Sequence, residues 1–572
     1  MSMTSRRHLH ATFVTFLIVI ACGMATSPVS AWDLPPDAAA LLPPSPVMLA
    51  AFSSLDEADQ SWLQLTSLGG KAADSPPKLP SDLVTSLAEM LMPYVDRTRP
   101  ASVAVGFMPT QADNPVTITV VLPLLEKARD PYFLRRVLFD MPLTVRGGYA
   151  AVSTDANYAP GGSSPALGTG LPDGALAARV DLAQIYALMG PQIEAVLRDM
   201  AIPAANSPAD SAGVAAPAMS PEQSAATAAI FRTFIQAARR LDLAMTLGDG
   251  NDVLRGTIAV HPGSAFDLGP QPDHSAAVAL TKYLSPELPV VQASAVESAR
   301  LVDLFAPFLR AVMAPMPDPA YSQWMVDGLE LGKMWAHPCA VGISFEADAM
   351  RTQMIAAVPQ PEAVLEATIT YYRRLGSCGA GMVLGEGGEA DVDGVRVRTF
   401  STELDPLWVA RQESARGNSG AAAIDSVEIM KELLGYYPPY RVAVVNGVVA
   451  VCSDRDPAAM GALLARIKSG EGVARPEVVA ATQGAGAGTN SVVVGEFGAV
   501  FDGILKMMQQ TTNGRINYDG LVRTEPTSFV VTSGVRGQEL DFAVEIDIES
   551  ILELGKAFTA AVMAGTPEGG QP

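Results

Sequence analysis

The residues best suited to chemistry in this chain are few and scattered. Past the N-terminal segment the histidines are His261, His274 and His337, too far apart in sequence to form a metal-ligand pair. Neither His-Glu-x-x-His nor paired Cys-x-x-Cys occurs, so no metal and no cofactor is expected. No serine stands in a Gly-x-Ser-x-Gly elbow. The most concentrated reactive trio is His337-Pro338-Cys339, and Cys452 sits inside an apolar, β-branched stretch that suits a small hydrophobe better than an activated thiolate. Glu389, Asp391, Asp393 and Gly394 open like a calcium loop. Phe400, however, stands where the bidentate carboxylate belongs, so a hairpin turn is expected. Asp541, Glu545 and Asp547 alternate along one strand and read as its solvated face. The glycines of Gly379 to Gly388 lack dinucleotide-binding spacing, and that stretch, like Gln483 to Gly488, reads as loop. No catalytic, cofactor-binding or metal-binding residue is assigned.

Composition narrows the partners. The net charge is −21, with hydrophobic residues at 49% and charged residues at 17%. An acidic chain without a basic run cannot displace phosphate counterions, which excludes nucleic acid. Anionic headgroups would repel it too. At 572 residues it exceeds what one core supports, so several domains are expected.

The N-terminus sets the compartment. Arg6 and Arg7 precede an apolar run from Ala11 to Ala25, then Pro28 and Val29-Ser30-Ala31. That is a signal peptide over residues 1–31, with cleavage expected after Ala31. Val19-Ile20-Ala21-Cys22 resembles a lipobox, so acylation of Cys22 is the competing outcome, and any membrane attachment would run through the signal or that lipid. Ser5-Arg6-Arg7-His8-Leu9 resembles a twin-arginine signal, which leaves the export route open. Cys339, Cys378 and Cys452 remain after cleavage behind Ala31; a Cys339–Cys378 bridge is one pairing open to an oxidising compartment.

The elements that must carry these residues come next. Residues 32–45 are proline-rich and read as extended. A first unit over 46–266 runs through a strand and helix at Leu41 to Leu63 and a helix from Ser81. The strands RPASVAVGF (Arg99 to Phe107) and NPVTITVVLPL (Asn114 to Leu124) follow, then a helix from Asp130-Pro131 and the strand GGYAAVSTD (Gly147 to Asp155). Val180 to Met200 reads as a helix broken at Gly190-Pro191, Pro203 to Met219 as a disordered insertion, and Ser220-Pro221 as a helix start. LDLAMTL and VLRGTIAVH close the unit as a strand pair.

After a linker at 267–282 the pattern restarts, and a second unit spans 283–564 before a tail at 565–572. HPCAVGISF echoes RPASVAVGF, a helix from Pro361 echoes that from Asp130, and NGVVAVCSD (Asn446 to Asp454) echoes GGYAAVSTD. That last echo replaces Tyr149 by Val448 and sets Ser453, after an inserted Cys452, where the first copy has Ser153. Val492 to Met508 mirrors the Val180 helix. Two tandem related domains of α+β class with mainly antiparallel sheets follow from this order. The repeated Arg-Pro-x-x-x-x-Val-Gly-Phe and Gly-Gly-Tyr strands resemble exported bacterial proteins built from duplicated α+β units, a group that implies fold and export but no catalytic residues. The function expected is an exported, periplasmic or envelope-associated binding or interaction module, non-enzymatic because no catalytic constellation is visible, with an apolar or lipid ligand or an envelope-protein partner. The competing readings are a hydrolase assembled only in three dimensions and a structural scaffold.

Overall fold

Small and β-branched residues bounded by turns build the strands, as the sequence pattern predicts. The computed structural model describes residues 31–67, 81, 89–107, 116–130, 143–155, 158–160, 168–201, 221–246, 252–296, 302–303, 306, 319–346, 349–374, 382–410, 427, 431, 434–485, 488–503 and 527–547. It is mixed α+β with antiparallel strand pairing. The chain divides into two units: residues 1–194, 234–267 and 536–552 in one, and 195–233, 268–535 and 553–572 in the other.

The strands before residue 267 are β1 (Ala31–Trp32), β2 (Met48–Phe52), β3 (Ala101–Phe107), β4 (Val116–Pro123), β5 (Leu143–Arg146), β6 (Tyr149–Ser153), β7 (Leu171–Pro172), β8 (Leu176–Asp181), β9 (Ala238–Thr246) and β10 (Asp252–Val260). Those of the second unit are β11 (Val290–Ser294), β12 (Cys339–Phe345), β13 (Met350–Ala356), β14 (Met382–Val392), β15 (Val395–Leu404), β16 (Tyr440–Val445), β17 (Val448–Ser453), β18 (Thr489–Glu496) and β19 (Ser528–Arg536). The last described strand, β20 (Glu539–Ile546), belongs to the first unit.

In the first unit the sheet order is β20-β10-β9-β8-β2-β3-β4-β6-β5. One face buries Leu49, Ala51, Ala104, Val121, Tyr149, Ala151 and Ala177. What covers it is the stretch expected to be merely extended. Leu34, Ala38, Leu41 and Leu42 pack into that face, with helix α1 (Pro36–Ala39) between them. The strap is tied down at its start: the Leu34 N–H donates to Gly168 O at 2.9 Å, and the Trp32 indole to Pro172 O at 3.2 Å. The Tyr158 hydroxyl donates to Leu41 O. Helix α2 (Leu55–Ser67) packs Leu55 and Ala58 on the opposite face, over Val103, Val120 and Val152.

In the second unit the order is β19-β18-β11-β12-β13-β17-β16-β15-β14. Helices α5 (His274–Leu280), α8 (Ala458–Ser469) and α9 (Pro476–Ala485) cover one face, and α7 (Pro361–Arg373) covers part of the other. The intervening helices in chain order are α3 (Leu182–Ala201), α4 (Pro221–Ala237) and α6 (Pro319–Trp335).

Several local expectations change. The stretch from Val180 is first a strand; α3 begins only at Leu182, where the Asp181 carboxylate accepts from Gln184 N at 2.8 Å and caps the helix. The stretch from Val492 changes for the same reason. Strand β18 runs to Glu496, whose carboxylate accepts from Ala499 N at 2.6 Å. Helix α3 runs through Pro191 unbroken, giving up one donor on its exposed side. The glycines at 385–388 lie in strand β14, not in a loop; a bulge between Glu386 and Gly388, with Gly388 at φ 94, takes up the extra residue. The expected linker holds α5, with His274, Ala277 and Leu280 buried. The helices expected from Ser81 and Asp130 and the insertion at 203–219 fall wholly or largely outside the described residues.

Because Leu42 is 1% exposed within this strap, Leu42→Ala should lower the stability of the first unit by about 2–4 kcal/mol, read from the urea midpoint.

Candidate functional site

The sheet of the second unit is finished on one face and half-open on the other. Alternation along each strand sends neighbouring residues to opposite faces. On the closed face the cross-strand row Val492, Ala293, Ala340, Ile355 and Ala450 is 0% exposed throughout. On the other face the row Val531, Val493, Gln292, Val341, Met354 and Val451 is half-buried at every position. The next row, Phe529, Gly495, Val290, Ile343, Thr352 and Ser453, lies beside it. Neither row carries a charge. The buried Thr352 hydroxyl has no partner among the described residues.

The first unit shows the same asymmetry around β2 and β8. Leu49, Ala51 and Ala177 are 0% exposed, while Ala50, Ala178 and Leu243 on the other face are half-buried and Met48 and Leu254 are 36% and 38% exposed. These faces lie on central strands, where a finished core would leave no apolar side chain partly open.

The closed face of the first unit holds a different feature. Backbone register sets Arg179, Asp242, Thr257 and Asp541 in one line across β8, β9, β10 and β20. The Arg179 guanidinium donates to both Asp242 oxygens, at 2.6 and 3.2 Å, and to the carbonyls of Thr169 and Gly170, each at 2.6 Å. Arg240 Nε adds a 2.9 Å bond to Asp242. The Thr257 hydroxyl donates to Asp541 at 2.6 Å, and Arg536 donates to the other Asp541 oxygen at 2.6 Å. That bond raises the Arg536 guanidinium pKa. Buried charge is tolerable here because every member is paired. The chemical consequence is a rigid row without a spare acid or base. The equivalent row of the second sheet reads Val530, Val494, Val291, Gly342, Gln353 and Cys452, without charge.

The residues singled out from sequence separate widely. His261 is exposed, His337 half-buried and His274 buried. No histidine side chain bonds a hydroxyl, thiol or carboxylate among the described residues. Desolvation pushes the Cys339 thiol up to about 11 and the Cys452 thiol up to about 12, so both hold their protons at neutral pH. Cys378, and with it the expected bridge to Cys339, lies outside the described residues, as does Cys22. Asp391 accepts from the Gly394 amide at 2.7 Å in the hairpin turn, and Glu389 is engaged by Arg396, which lowers its pKa, and by Arg398. Phe400 is buried. No cluster of metal-binding side chains occurs among the described residues. Asp541 overturns its expected solvated setting: it is 1% exposed, on the closed face, held by Thr257 and Arg536. Register also places Cys452, not Ser453, at the position of Ser153.

Sequence reasoning missed Arg179 and Asp242. Arg179 stands between Ala178 and Val180 and Asp242 between Leu241 and Leu243, and that apolar flanking was the available signal. The chain matches no protein-family model, no curated protein and no solved structure.

Two outcomes follow. Asp242→Ala strands the Arg179 charge and should cost about 3–5 kcal/mol by chemical denaturation, while Arg179→Met with Asp242→Leu recovers most of it. His274 Nε2 donates to Ala293 O at 3.1 Å, leaving Nδ1 buried without a partner, and burial lowers its pKa from the ordinary 6.5. The unfolded chain therefore takes up this proton at higher pH than the folded one. Stability is intact above pH 6.5 and falls as pH drops below it. His274→Phe should flatten that part of the stability profile.

Proposed function

We propose that this chain is an exported cell-envelope protein, non-enzymatic, built from a duplicated α+β unit, whose half-open sheet faces bind an apolar ligand of the lipid class. The half-buried, uncharged row from Val531 to Val451 carries this reading. An aqueous face would be polar and a finished core would be closed; an apolar surface held between those states suits a ligand with hydrocarbon to bury. Burial of such a chain contributes about 0.8 kcal/mol per methylene.

Duplication is supported by strand order. The run β8-β2-β3-β4-β6-β5 in the first sheet has its counterpart in β18-β11-β12-β13-β17-β16 in the second, antiparallel throughout. The carboxylate caps Asp181 and Glu496 stand at the ends of matching strands β8 and β18. Export rests on the signal sequence, and a cut after Ala31 spares Trp32, which the strap uses. No described helix is long and apolar enough to cross a membrane. Against a hydrolase stand the protonated thiols and the histidines, which among the described residues have no hydroxyl or carboxylate partner.

Native mass spectrometry of protein purified from its own membrane fraction should show a lipid adduct. A fluorescent long-chain acyl probe should bind, and Val341→Thr with Val493→Thr should weaken it about tenfold with the circular dichroism unchanged. A clean apo mass with no probe binding would sink the proposal. Radioactive palmitate incorporation decides acylation at Cys22.

A further inference from the structure

Two matched places in the units share a backbone and differ in chemistry. The first unit sets Arg99 two residues ahead of β3 and Gly147-Gly148-Tyr149 at the turn between β5 and β6. The second sets His337 ahead of β12 and Asn446-Gly447-Val448 between β16 and β17. Both turns are left-handed, with φ of 54 and 82 in the first and 50 and 77 in the second. The second turn stands clear: a Cβ on Gly447 would meet nothing within 4 Å among the described residues. The first is crowded. A Cβ on Gly147 would run into the Asp37 carboxylate, and one on Gly148 would press within 3.1 Å of Arg129 Nε.

That crowding comes from loops tied to the turn. The Leu124 N–H donates to Gly148 O at 2.9 Å, the Asp96 N–H to Pro123 O at 2.9 Å, and the Arg99 N–H to Asp96 O at 3.2 Å. The Arg99 guanidinium carbon thereby lies 4.7 Å from the centre of the Tyr149 ring. Tyr149 is 1% exposed, yet its hydroxyl has no hydrogen-bond partner among the described residues, and neither has the buried Arg99 Nη1. Burial raises the Tyr149 pKa against the pull of the Arg99 charge, so the hydroxyl keeps its proton. The carboxylates that act on it, Asp96 and Asp37, have other partners: Asp96 accepts the Thr98 hydroxyl at 2.7 Å, and Arg146 lies 3.7 Å from Asp37. Arg99 and Arg129 have no ion-pair partner among the described residues. Two buried donors beside a positive charge call for an anionic acceptor.

We propose that Arg99 and the Tyr149 hydroxyl bind a phosphate group, with Arg129 adding positive charge at the Gly147-Gly148 turn. A guanidinium presents its N–H groups in a fixed plane and the phenol adds one more donor, which suits an anion with several acceptor oxygens. Free phosphate and a lipid phosphate monoester offer the same group. The net charge of −21 opposes any anion at long range, so affinity rests on these local donors. The second unit, with His337 and Val448 at the matching positions, lacks the site. Tyr149 belongs to the face that the strap covers, so the site stands whether or not the half-open faces take lipid.

Equilibrium dialysis of the full chain against radiolabelled inorganic phosphate tests this. About one phosphate per chain should bind. Tyr149→Phe, which removes only the hydroxyl, should weaken binding about fivefold, and Arg99→Met about tenfold, with the circular dichroism unchanged. Arg373→Met, at an exposed ion pair of the second unit, should leave it as in the wild type. Dibutanoyl phosphatidic acid distinguishes the sources. Displacement of the label at lower concentration than unlabelled phosphate assigns a lipid headgroup; displacement at equal or higher concentration assigns free phosphate. No saturable binding of the label would overturn the proposal, and so would binding that Tyr149→Phe and Arg99→Met both leave intact. If Arg99→Met does not fold, Tyr149→Phe decides.

Discussion

Pairing of buried charge is the constraint on which the first unit depends. Arg179 and Asp242 can be buried as a bonded pair only where β8 and β9 meet in one register, and Thr257 and Asp541 extend the same demand across β10 and β20. Apolar strands alone could slide by two residues and still bury the same faces. Charge removes that freedom, because each displaced partner would be left desolvated and unpaired.

The second unit solves the same problem without charge. Its equivalent row is valine, glycine, glutamine and cysteine, and its register is held by interlocking small residues such as Ala293, Ala340 and Ala450 beneath α5, α8 and α9. Gln353 supplies what polarity there is, its side-chain oxygen accepting from Ser285 N at 2.9 Å and from Arg466 at 3.2 Å. One topology therefore supports two interiors, a charge-specified one and a packing-specified one. The open apolar faces persist in both, which sets them apart from the details of either core.

Much of this was legible in the sequence, and what was not has identifiable causes. Period-two alternation located β3, β4, β6, β9, β10, β12, β13 and β17, and Asp393-Gly394 located the hairpin between β14 and β15. Strand-to-helix junctions were harder. Apolar residues continue straight from β8 into α3 and from β18 onward, and only the Asp181 and Glu496 carboxylates mark the change. Asp541 read as solvated because alternation tells which residues share a face but not which face is covered. The prolines of 32–45 suggested an extended lead-in, yet the leucines between them, Leu34, Leu41 and Leu42, are core. The remote pairing of β20 leaves no local trace at all; nothing in ELDFAVEI names β10 as its neighbour.

The strap also orders events in time. Ala31 and Trp32 form β1 and pair with Pro172 and Leu171, so the bond after Ala31 lies inside a β-ladder once the first unit has closed. A peptidase needs that bond extended and free. On the proposed reading of residues 1–31 as a leader cut after Ala31, that cut must come before β1 docks, and a chain that folded too early would keep residues 1–31 attached.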